Sequence, residues 1–263
     1  MSNDQGLWIE QQGDGPVFAT AIHAGHDIRE ELLPFIALGE AERSREEDPY
    51  TDYWVRAAQG WIAARRSRFE VDLNRPPEEA VYQGPEMAWG LPLWRRPLPD
   101  EVVAHSLQEY NAFYDELKRL LDAIARHHKY FVVFDLHAYN YRREGPHAPP
   151  ADALENPDVN VGTGSLDRKR FAPVVECVME ELRRREVCGR RLEVVENIKF
   201  KGRELARWIH SHYPGSACVL ALEFKKFFMD EWTGVGDIDC ILSIREALER
   251  TIPAVMDALR KLP

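Results

Sequence analysis

Apolar and polar positions along the chain fall into two alternating patterns, which predict strands and amphipathic helices in turn. Short apolar or alternating runs predict strands at 17–22, 69–73, 130–134, 192–195 and 218–222. Apolar residues at helical spacing predict helices at 51–66, 99–127, 167–185, 202–212 and 239–261, and a broken helix at 28–47. Such alternation is typical of a mostly parallel, mixed β-sheet with helices on both faces, so we predict a single α/β domain over residues 1–263.

Two longer segments show no clear periodicity. Residues 80–99 are rich in proline and glycine but also hold Trp89 and Trp94, so we expect an ordered loop in which tryptophan covers other residues. Its tryptophans would suit an interface, although the oligomeric state is unknown from the sequence. Residues 141–160 are rich in proline, arginine and glutamate. Loops of this length in a compact domain are commonly functional or mobile, and we expect this one to be a lid.

Composition narrows the classes of partner. The chain has 263 residues and a formal net charge of -10, which argues against nucleic acid because phosphate binding needs a basic face. The same charge repels small anions at long range, so an anionic substrate would need a local cluster of arginines. No apolar run approaches the ~20 residues that span a bilayer. The N-terminus also lacks the basic start and apolar core of a signal peptide.

The cysteines indicate a reduced chain. Cys177, Cys188, Cys218 and Cys240 form no Cys-x-x-Cys pair, so a thiolate zinc site or a redox motif has no support. Cys218 lies in an apolar run and is expected in the core. Together with the N-terminus, this pattern predicts a reduced, cytoplasmic protein without a membrane partner.

Three of the apolar runs lead into side chains suited to metal-assisted hydrolysis. These side chains are His23, His137 and Glu223. In open α/β sheets, ligands bind in the crevice beyond the carboxyl ends of the strands, so we expect the three to face one cleft. Each one alone is more often structural than catalytic, and the interpretation depends on their conjunction. The inferred chemistry is hydrolysis of an amide.

A single zinc ion per chain is the expected cofactor. A catalytic zinc typically takes three protein ligands and leaves its fourth position for water. We predict His23 and His137 as two of these ligands. His26 is the predicted third, because it can reach the same ion if the chain turns sharply between the two histidines. Asp27 and Glu30 are alternatives for this third position.

Glu223 is the predicted general base. It interrupts an apolar stretch, and a buried carboxylate is costly unless another group pairs with it. A carboxylate beside the ion would take a proton from the attacking water and return it to the leaving amine. The alternative is an ion pair with Lys225 or Lys226.

Two aspartates are candidates for orienting the ligating histidines. A histidine bound to a metal usually donates its other ring nitrogen to a carboxylate or a carbonyl. We predict Asp72 as the partner of His23. Asp135 is the second candidate, with a purely structural role at the strand end as its alternative.

A polar cluster near 69–73 is the candidate substrate clamp. If the substrate carries a carboxylate, Arg75 is its predicted partner and Asn74 assists, since arginine binds carboxylates through two parallel hydrogen bonds. Arg68 is predicted either to bind the same group or to stabilise the oxyanion of the reaction. Without the histidines, these would be ordinary surface residues of an arginine-rich segment.

Taken together, these segments resemble the N-formylglutamate amidohydrolase family. The matching pieces span most of the chain in family order: 23–25, 68–76, 135–137, 161–163, 196–197 with Gly202, and Glu223 with 229–231. That family is similar to zinc carboxypeptidases and to the aspartoacylase and succinylglutamate desuccinylase group. The chain departs from these wider relatives at His26, which stands where their His-x-x-Glu pair has glutamate.

The resemblance implies a zinc-exopeptidase-like fold (phosphorylase/hydrolase-like) with one catalytic zinc and a glutamate base. It implies hydrolysis of an N-formyl or other N-acyl amino acid, a small-molecule substrate. Two alternatives stay open: a zinc carboxypeptidase-like exopeptidase or a deacylase of a peptide-like metabolite, and a non-catalytic binding protein on a hydrolase scaffold. An open groove in place of a closed lid over the site would favour peptides.

Overall fold

The sheet at the centre of the protein is mixed and mostly parallel. The computed structural model describes residues 6–263, and within them seven strands form one sheet in the order β1-β3-β2-β4-β9-β5-β8. Four of its strand pairs are parallel, and the pairs β1–β3 and β5–β9 are antiparallel. The strand bounds are β1 Trp8–Gln11, β2 Val17–Ala21, β3 Gly60–Ala64, β4 Phe131–Tyr139, β5 Val159–Gly162, β6 Glu186–Val187, β7 Arg190–Arg191, β8 Val194–Glu196 and β9 Ala217–Lys225, with β6 and β7 pairing only with each other.

Helices cover both faces of this sheet. Their bounds are α1 Glu40–Glu46, α2 Thr51–Trp54, α3 Asp100–Ala125, α4 Ala172–Arg184, α5 Glu204–His212 and α6 Ile238–Arg260. Apolar residues of α3 and α5 pack on one face against a buried cluster that includes Phe131, Val133 and Val219. Apolar residues of α4 and α6 pack on the other face with Phe134 and Leu220. The fold class predicted from the sequence is confirmed.

The central strands carry polar side chains toward their carboxyl ends. Side chains alternate between the two faces of a strand, so Asp135 and His137 of β4 lie on the same face as Phe131 and Val133. In the parallel pairing of β4 with β9, His137 is the register partner of Glu223. On the other side of β4, Thr20 of β2 is the partner of Asp135. Polar residues therefore concentrate where the carboxyl ends of β2, β4 and β9 meet.

Two elements predicted between residues 51 and 73 are wrong. The segment 51–66, predicted as one helix, contains the short helix α2, a 3-10 turn and the buried strand β3. The segment 69–73, predicted as a strand, is turn and loop. All five of its residues are buried, including Glu70 and Asp72, so the alternation does not separate a buried face from an exposed one. The broken helix at 28–47 is a 3-10 turn at Glu30–Leu32 followed by α1.

The two long irregular segments are ordered by different contacts. In residues 80–99, Tyr82 and Leu93 belong to a small apolar cluster with Phe69. Trp89, by contrast, is 47% exposed. Residues 141–158 have no helix or strand. The start of this stretch is held by Glu231, whose carboxylate accepts from the backbone N–H groups of Tyr141 and Arg142, both at 2.8 Å.

The cysteines correct one expectation. A disulfide joins Cys188, at the β6–β7 turn, to Cys240 of α6, with Cα atoms 4.8 Å apart. The prediction of four reduced cysteines is therefore wrong for this pair, whose 52-residue separation leaves no local motif. Cys218 is buried in the core as predicted. Over the described residues, no helix has the length and apolar character that crossing a membrane would require. The cytoplasmic location stays a prediction.

Candidate active site

A cavity opens at the carboxyl ends of the central strands. It is lined by His23, which follows β2, by His137 of β4 and by Glu223 of β9. The three side chains that the sequence predicts for one cleft do line one cleft. Asp72, Asn74 and Arg68, from the turn region after β3, line it as well. Eight further lining residues with charged, polar or aromatic side chains come from loops and from α1: Glu46, Asp48, Trp89, Asn140, Arg143, Phe200, Arg203 and Lys226.

Two histidines and an aspartate converge in this cavity. His23, Asp48 and His137 are buried, and each offers one ligand atom within 4.8 Å of the others. The Nδ1 atoms of His23 and His137 lie 3.5 Å and 2.9 Å from Oδ2 of Asp48. The two imidazole rings are 5.0 Å apart between centroids. Two imidazoles and a carboxylate form the same type of donor set that holds catalytic zinc in several hydrolases.

The second ring nitrogen of each histidine faces a carboxylate. Nε2 of His23 lies 2.7 Å from Oδ1 of Asp72, and Nε2 of His137 lies 3.1 Å from Oδ2 of Asp135. Asp135 also accepts a hydrogen bond from Thr20 at 2.8 Å. His23 is thus held from behind by a hydrogen bond, whereas Nε2 of His137 and Oδ2 of Asp135 lie close to each other without a hydrogen bond. Both rings turn Nδ1 toward Asp48, and a carboxylate behind the ring is the arrangement that metal-binding histidines usually have. The residues present fit a divalent metal ion.

His26 does not join this group. Its side chain is 43% exposed, and its Nδ1 lies 2.5 Å from Oε2 of Glu47. The chain does not turn sharply at Gly25, because that glycine packs against the backbone of Arg65, where an added Cβ would lie 2.3 Å from the carbonyl carbon. The backbone then runs on beside 65–67 through a hydrogen bond from Asp27 to Arg65, which carries His26 away from the cavity.

Asp48, and not His26, is the third residue of the group with His23 and His137. The alternatives Asp27 and Glu30 are exposed, and neither lines the cavity. Asp48 lies in the loop after α1, outside any strand pattern, so the strand-end argument does not reach it. The only hint in the sequence is the acidic run of Glu46, Glu47 and Asp48 directly before a proline.

Electrostatics hold the cluster in a charged state. Burial alone would raise the pKa of Asp48, but its hydrogen bonds to His137 and His23 outweigh burial and hold the pKa well below its usual range. Burial would likewise lower the pKa of His137, but the charges of Asp135 and Glu223 raise it well above its ordinary value. A buried carboxylate that stays ionised beside two imidazoles is an environment that also suits a bound cation.

Glu223 has the environment of a proton-transfer group. It is 9% exposed and lines the cavity beside His137. Burial raises its pKa to about 7, with the charges of Asp48 and Asp135 adding to the rise and that of His137 opposing it. The alternative ion pairs are not formed among the described residues: Lys225 pairs with Asp158 instead, and Lys226 donates to backbone carbonyl oxygens.

Two of the three residues predicted for the substrate clamp line the cavity, and the third does not. Arg68 lines the cavity and donates to Asp72 at 2.9 Å. Burial would lower the pKa of Arg68, but the Asp72 charge raises it above its usual value, so its positive charge is permanent. Asn74 lines the cavity too, with its Oδ1 accepting from the backbone of α5 at Leu205. Arg75 is not among the described cavity residues, because its guanidinium bonds the carbonyl of Met87 at 2.6 Å.

Asp72 connects these groups. Its carboxylate accepts from His23, from the backbone N–H of Asn74 at 2.9 Å, from Arg68 and from the hydroxyl of Tyr82. These bonds and the Arg68 charge outweigh the effect of burial and hold its pKa well below the usual range. The predicted pairing of Asp72 with His23 agrees with this geometry.

Several solved structures are similar to this one. An N-formylglutamate amidohydrolase from Ralstonia eutropha JMP134 has a similar structure (TM-score 0.70, 16% identity, 95% of this chain and 96% of that chain). A protein from Agrobacterium tumefaciens is similar at TM-score 0.69 and 14% identity, over 97% of this chain and 98% of that one. A carboxypeptidase A from Helicoverpa armigera matches at TM-score 0.46 and 11% identity, over 92% and 60%.

The likenesses to the Ralstonia eutropha and Agrobacterium tumefaciens proteins show a shared fold. Among curated proteins, a search by sequence found no match. The family model described as N-formylglutamate amidohydrolase matches residues 15–228, which include every residue of the cavity described above. This chain therefore belongs to the N-formylglutamate amidohydrolase family, and its membership supports an amidohydrolase.

Proposed function

We propose that this protein is a zinc-dependent amidohydrolase that cleaves the amide bond of an N-formyl or other N-acyl amino acid. One observation carries the proposal: His23, Asp48 and His137 converge in one cavity beside Glu223. The family to which the chain belongs supports the amide as the bond that is cleaved.

His23, Asp48 and His137 would hold the ion. A zinc ion at such a site lowers the pKa of a water molecule to about 7 and polarises a carbonyl group. Asp72 holds the ring of His23 by a hydrogen bond, and the carboxylate of Asp135 lies behind the ring of His137, so both rings are already placed for the ion.

Glu223 would act as the general base and then as the general acid. It takes one proton from the water that attacks the amide carbon, and it passes that proton to the nitrogen as the carbon–nitrogen bond breaks. The products are a carboxylic acid and a free amine.

Arg68 would stabilise the negative charge that develops on the carbonyl oxygen. Its guanidinium lines the cavity, and its Nη2 bond to Asp72 fixes its position. Donors that are already held in place cost little reorganisation during the reaction.

The charges of the cavity favour an anionic substrate. Four acidic and four basic side chains line it, namely Glu46, Asp48, Asp72 and Glu223 with Arg68, Arg143, Arg203 and Lys226. A divalent ion would leave this balanced set with an excess of positive charge. The local basic cluster that an anionic substrate needs is therefore present despite the net charge of -10 on the chain.

The segment after β4 favours a small substrate over a peptide. Arg143 reaches from this segment into the cavity and pairs with Glu46 at 3.0 Å. Trp232 donates to the carbonyl oxygen of Arg142 at 2.9 Å, and Glu231 binds the adjacent backbone. Such contacts support the predicted lid, which would restrict the room available to a peptide chain.

Metal analysis combined with kinetics tests the proposal. Purified protein should contain about one zinc per chain, and chelation should abolish hydrolysis of N-formyl-L-glutamate. Glu223→Gln should lower kcat by at least the roughly 10²-fold that general-base catalysis contributes, while zinc stays bound. Full activity in zinc-free protein would contradict the proposal. A clear preference for short peptides over N-acyl amino acids would favour the exopeptidase alternative.

A further inference from the structure

Two cavity side chains are tied to the same backbone oxygen. The amide Nδ2 of Asn140 donates to the carbonyl oxygen of Arg45 at 2.8 Å, and Nζ of Lys226 donates to the same oxygen at 2.6 Å. The polar ends of these two side chains are therefore neighbours. Both residues line the cavity that holds the histidine cluster.

Asn140 presents an acceptor that has no partner. The residue is 4% exposed, and its Oδ1 has no hydrogen-bond donor among the described residues. The bond from Nδ2 to Arg45 identifies the nitrogen end of the amide, so the oxygen is the end that is left for a ligand. A buried acceptor without a donor is costly, and a bound N–H group would remove that cost.

Lys226 presents a buried cation with an unused donor. It is 1% exposed, and its ammonium group donates to the carbonyl oxygens of Arg45 and Glu47, which occupies two of its three N–H groups. Among residues 6–263 it forms no ion pair, although the charges of Asp48, Glu46 and Glu231 act on it from farther away. Burial lowers its pKa to about 8, so it is still mostly charged at neutral pH. A buried charge of this kind is stabilised when an anion binds to it.

An N-acyl amino acid has the complementary pair of groups. Its amide N–H and its α-carboxylate are attached to one carbon atom, so a donor and an anion lie side by side. We propose that Asn140 and Lys226 form the subsite for the amino-acid half of the substrate. Asn140 Oδ1 accepts the amide N–H, and the ammonium group of Lys226 binds the α-carboxylate. This inference rests on the proposed function and assigns the clamp to residues other than Asn74 and Arg75.

The test uses ligands that differ in one charge. Zinc-loaded Glu223→Gln protein is titrated by calorimetry with N-formyl-L-glutamate and with its α-amide. Adding Lys226→Gln, which keeps N–H donors for the two carbonyl oxygens, should weaken binding of the acid by roughly 10- to 100-fold and change binding of the α-amide little. Lys225→Gln is the matched control, since Lys225 pairs with Asp158 outside the cavity and should leave both affinities unchanged.

A structural role for Lys226 would give a different result. Loss of its bonds to Arg45 and Glu47 would disturb the loop that carries Asp48 and would weaken both ligands alike. Equal weakening of acid and α-amide in Lys226→Gln, repeated in Lys226→Met, would overturn the assignment of the carboxylate.

The Asn140 arm uses ligands that differ in the N–H group. In protein that keeps Asn140, the N-methyl derivative of N-formyl-L-glutamate should bind less tightly than N-formyl-L-glutamate itself. In Asn140→Leu this difference should disappear, because the acceptor of the N–H is gone. A difference that persists unchanged in Asn140→Leu would overturn the role of Oδ1.

Failure of this subsite differs from failure of the proposed function. If the protein with Glu223 intact hydrolyses N-formyl-L-glutamate but Lys226→Gln keeps the preference for the acid, only the subsite is wrong. If hydrolysis is absent but the charge-dependent binding is lost in Lys226→Gln, the subsite stands and the amidohydrolase proposal fails. Absence of binding by either ligand would overturn both.

Discussion

His210 should make the protein sensitive to mild acid. It lies in α5, where its Nε2 accepts a hydrogen bond from the backbone N–H of Val219 in the buried strand β9 at 3.1 Å. Its Nδ1 lies 2.8 Å from the hydroxyl of Ser165. A protonated imidazole would turn an N–H toward the N–H of Val219, so the folded state requires the neutral ring. Burial accordingly lowers the pKa of His210 from 6.5 to about 4.

The direction and the size of the effect follow from proton binding. Between pH 6.5 and pH 4 the unfolded chain protonates this histidine and the folded chain does not, so the stability falls as the pH falls. Above pH 6.5 the contribution is fully present, and below pH 4 it is lost. The difference between the two pKa values corresponds to about 3 kcal/mol, or about 2 kcal/mol with allowance for partial exposure of the ring.

Urea unfolding followed by circular dichroism at several pH values between 7.5 and 4 measures this effect. His210→Gln retains an acceptor for Val219 but does not titrate, so its free energy of unfolding should decline less than that of the wild type over this range. His212→Gln is the control, because His212 is exposed and stacks on Trp208. If His210→Gln and the wild type lose stability in parallel, the reasoning about the buried neutral ring is wrong.

Three further outcomes test the site and the fold. Asp72→Asn should weaken zinc binding by roughly 10- to 100-fold in a competition with a chelator, because the carboxylate behind His23 is lost; unchanged affinity would argue against the assigned ligand. His26→Ala should leave one zinc per chain by elemental analysis, and a zinc-free variant would restore His26 as a ligand. Replacing Cys188 and Cys240 by serine should lower the free energy of unfolding by roughly 2–4 kcal/mol, and an unchanged urea midpoint would show that the bridge does not contribute.

Residues at strand ends were predictable because strand patterns are local. Each apolar run before His23, His137 and Glu223 predicts a strand from its own residues. Parallel strands have their carboxyl ends on the same side of the sheet, where the three side chains then lie. The family resemblance adds their order along the chain. The same reasoning missed β3, because the apolar residues of 51–66 match helical spacing as well as a short helix followed by a strand.

The third member of the cluster was not predictable in this way. Asp48 follows the end of α1, where the carbonyl oxygens of Arg45 and Glu47 accept hydrogen bonds from Asn140 and Lys226, which come directly after two distant strands. Arg75, by contrast, follows the pattern of a clamp but bonds the carbonyl of Met87. Both outcomes depend on contacts between residues far apart in the chain, which no local pattern encodes.

By itself, the sequence determined the α/β class, the two histidines, the candidate base and the aspartate behind His23, since each follows from strand periodicity, from a motif or from the family resemblance. Only the tertiary structure decided which carboxylate completes the cluster, which basic groups face the cavity and which cysteines pair. The physical reason is that loop conformations are selected by long-range hydrogen bonds and by the burial of charge, and these are properties of the assembled fold.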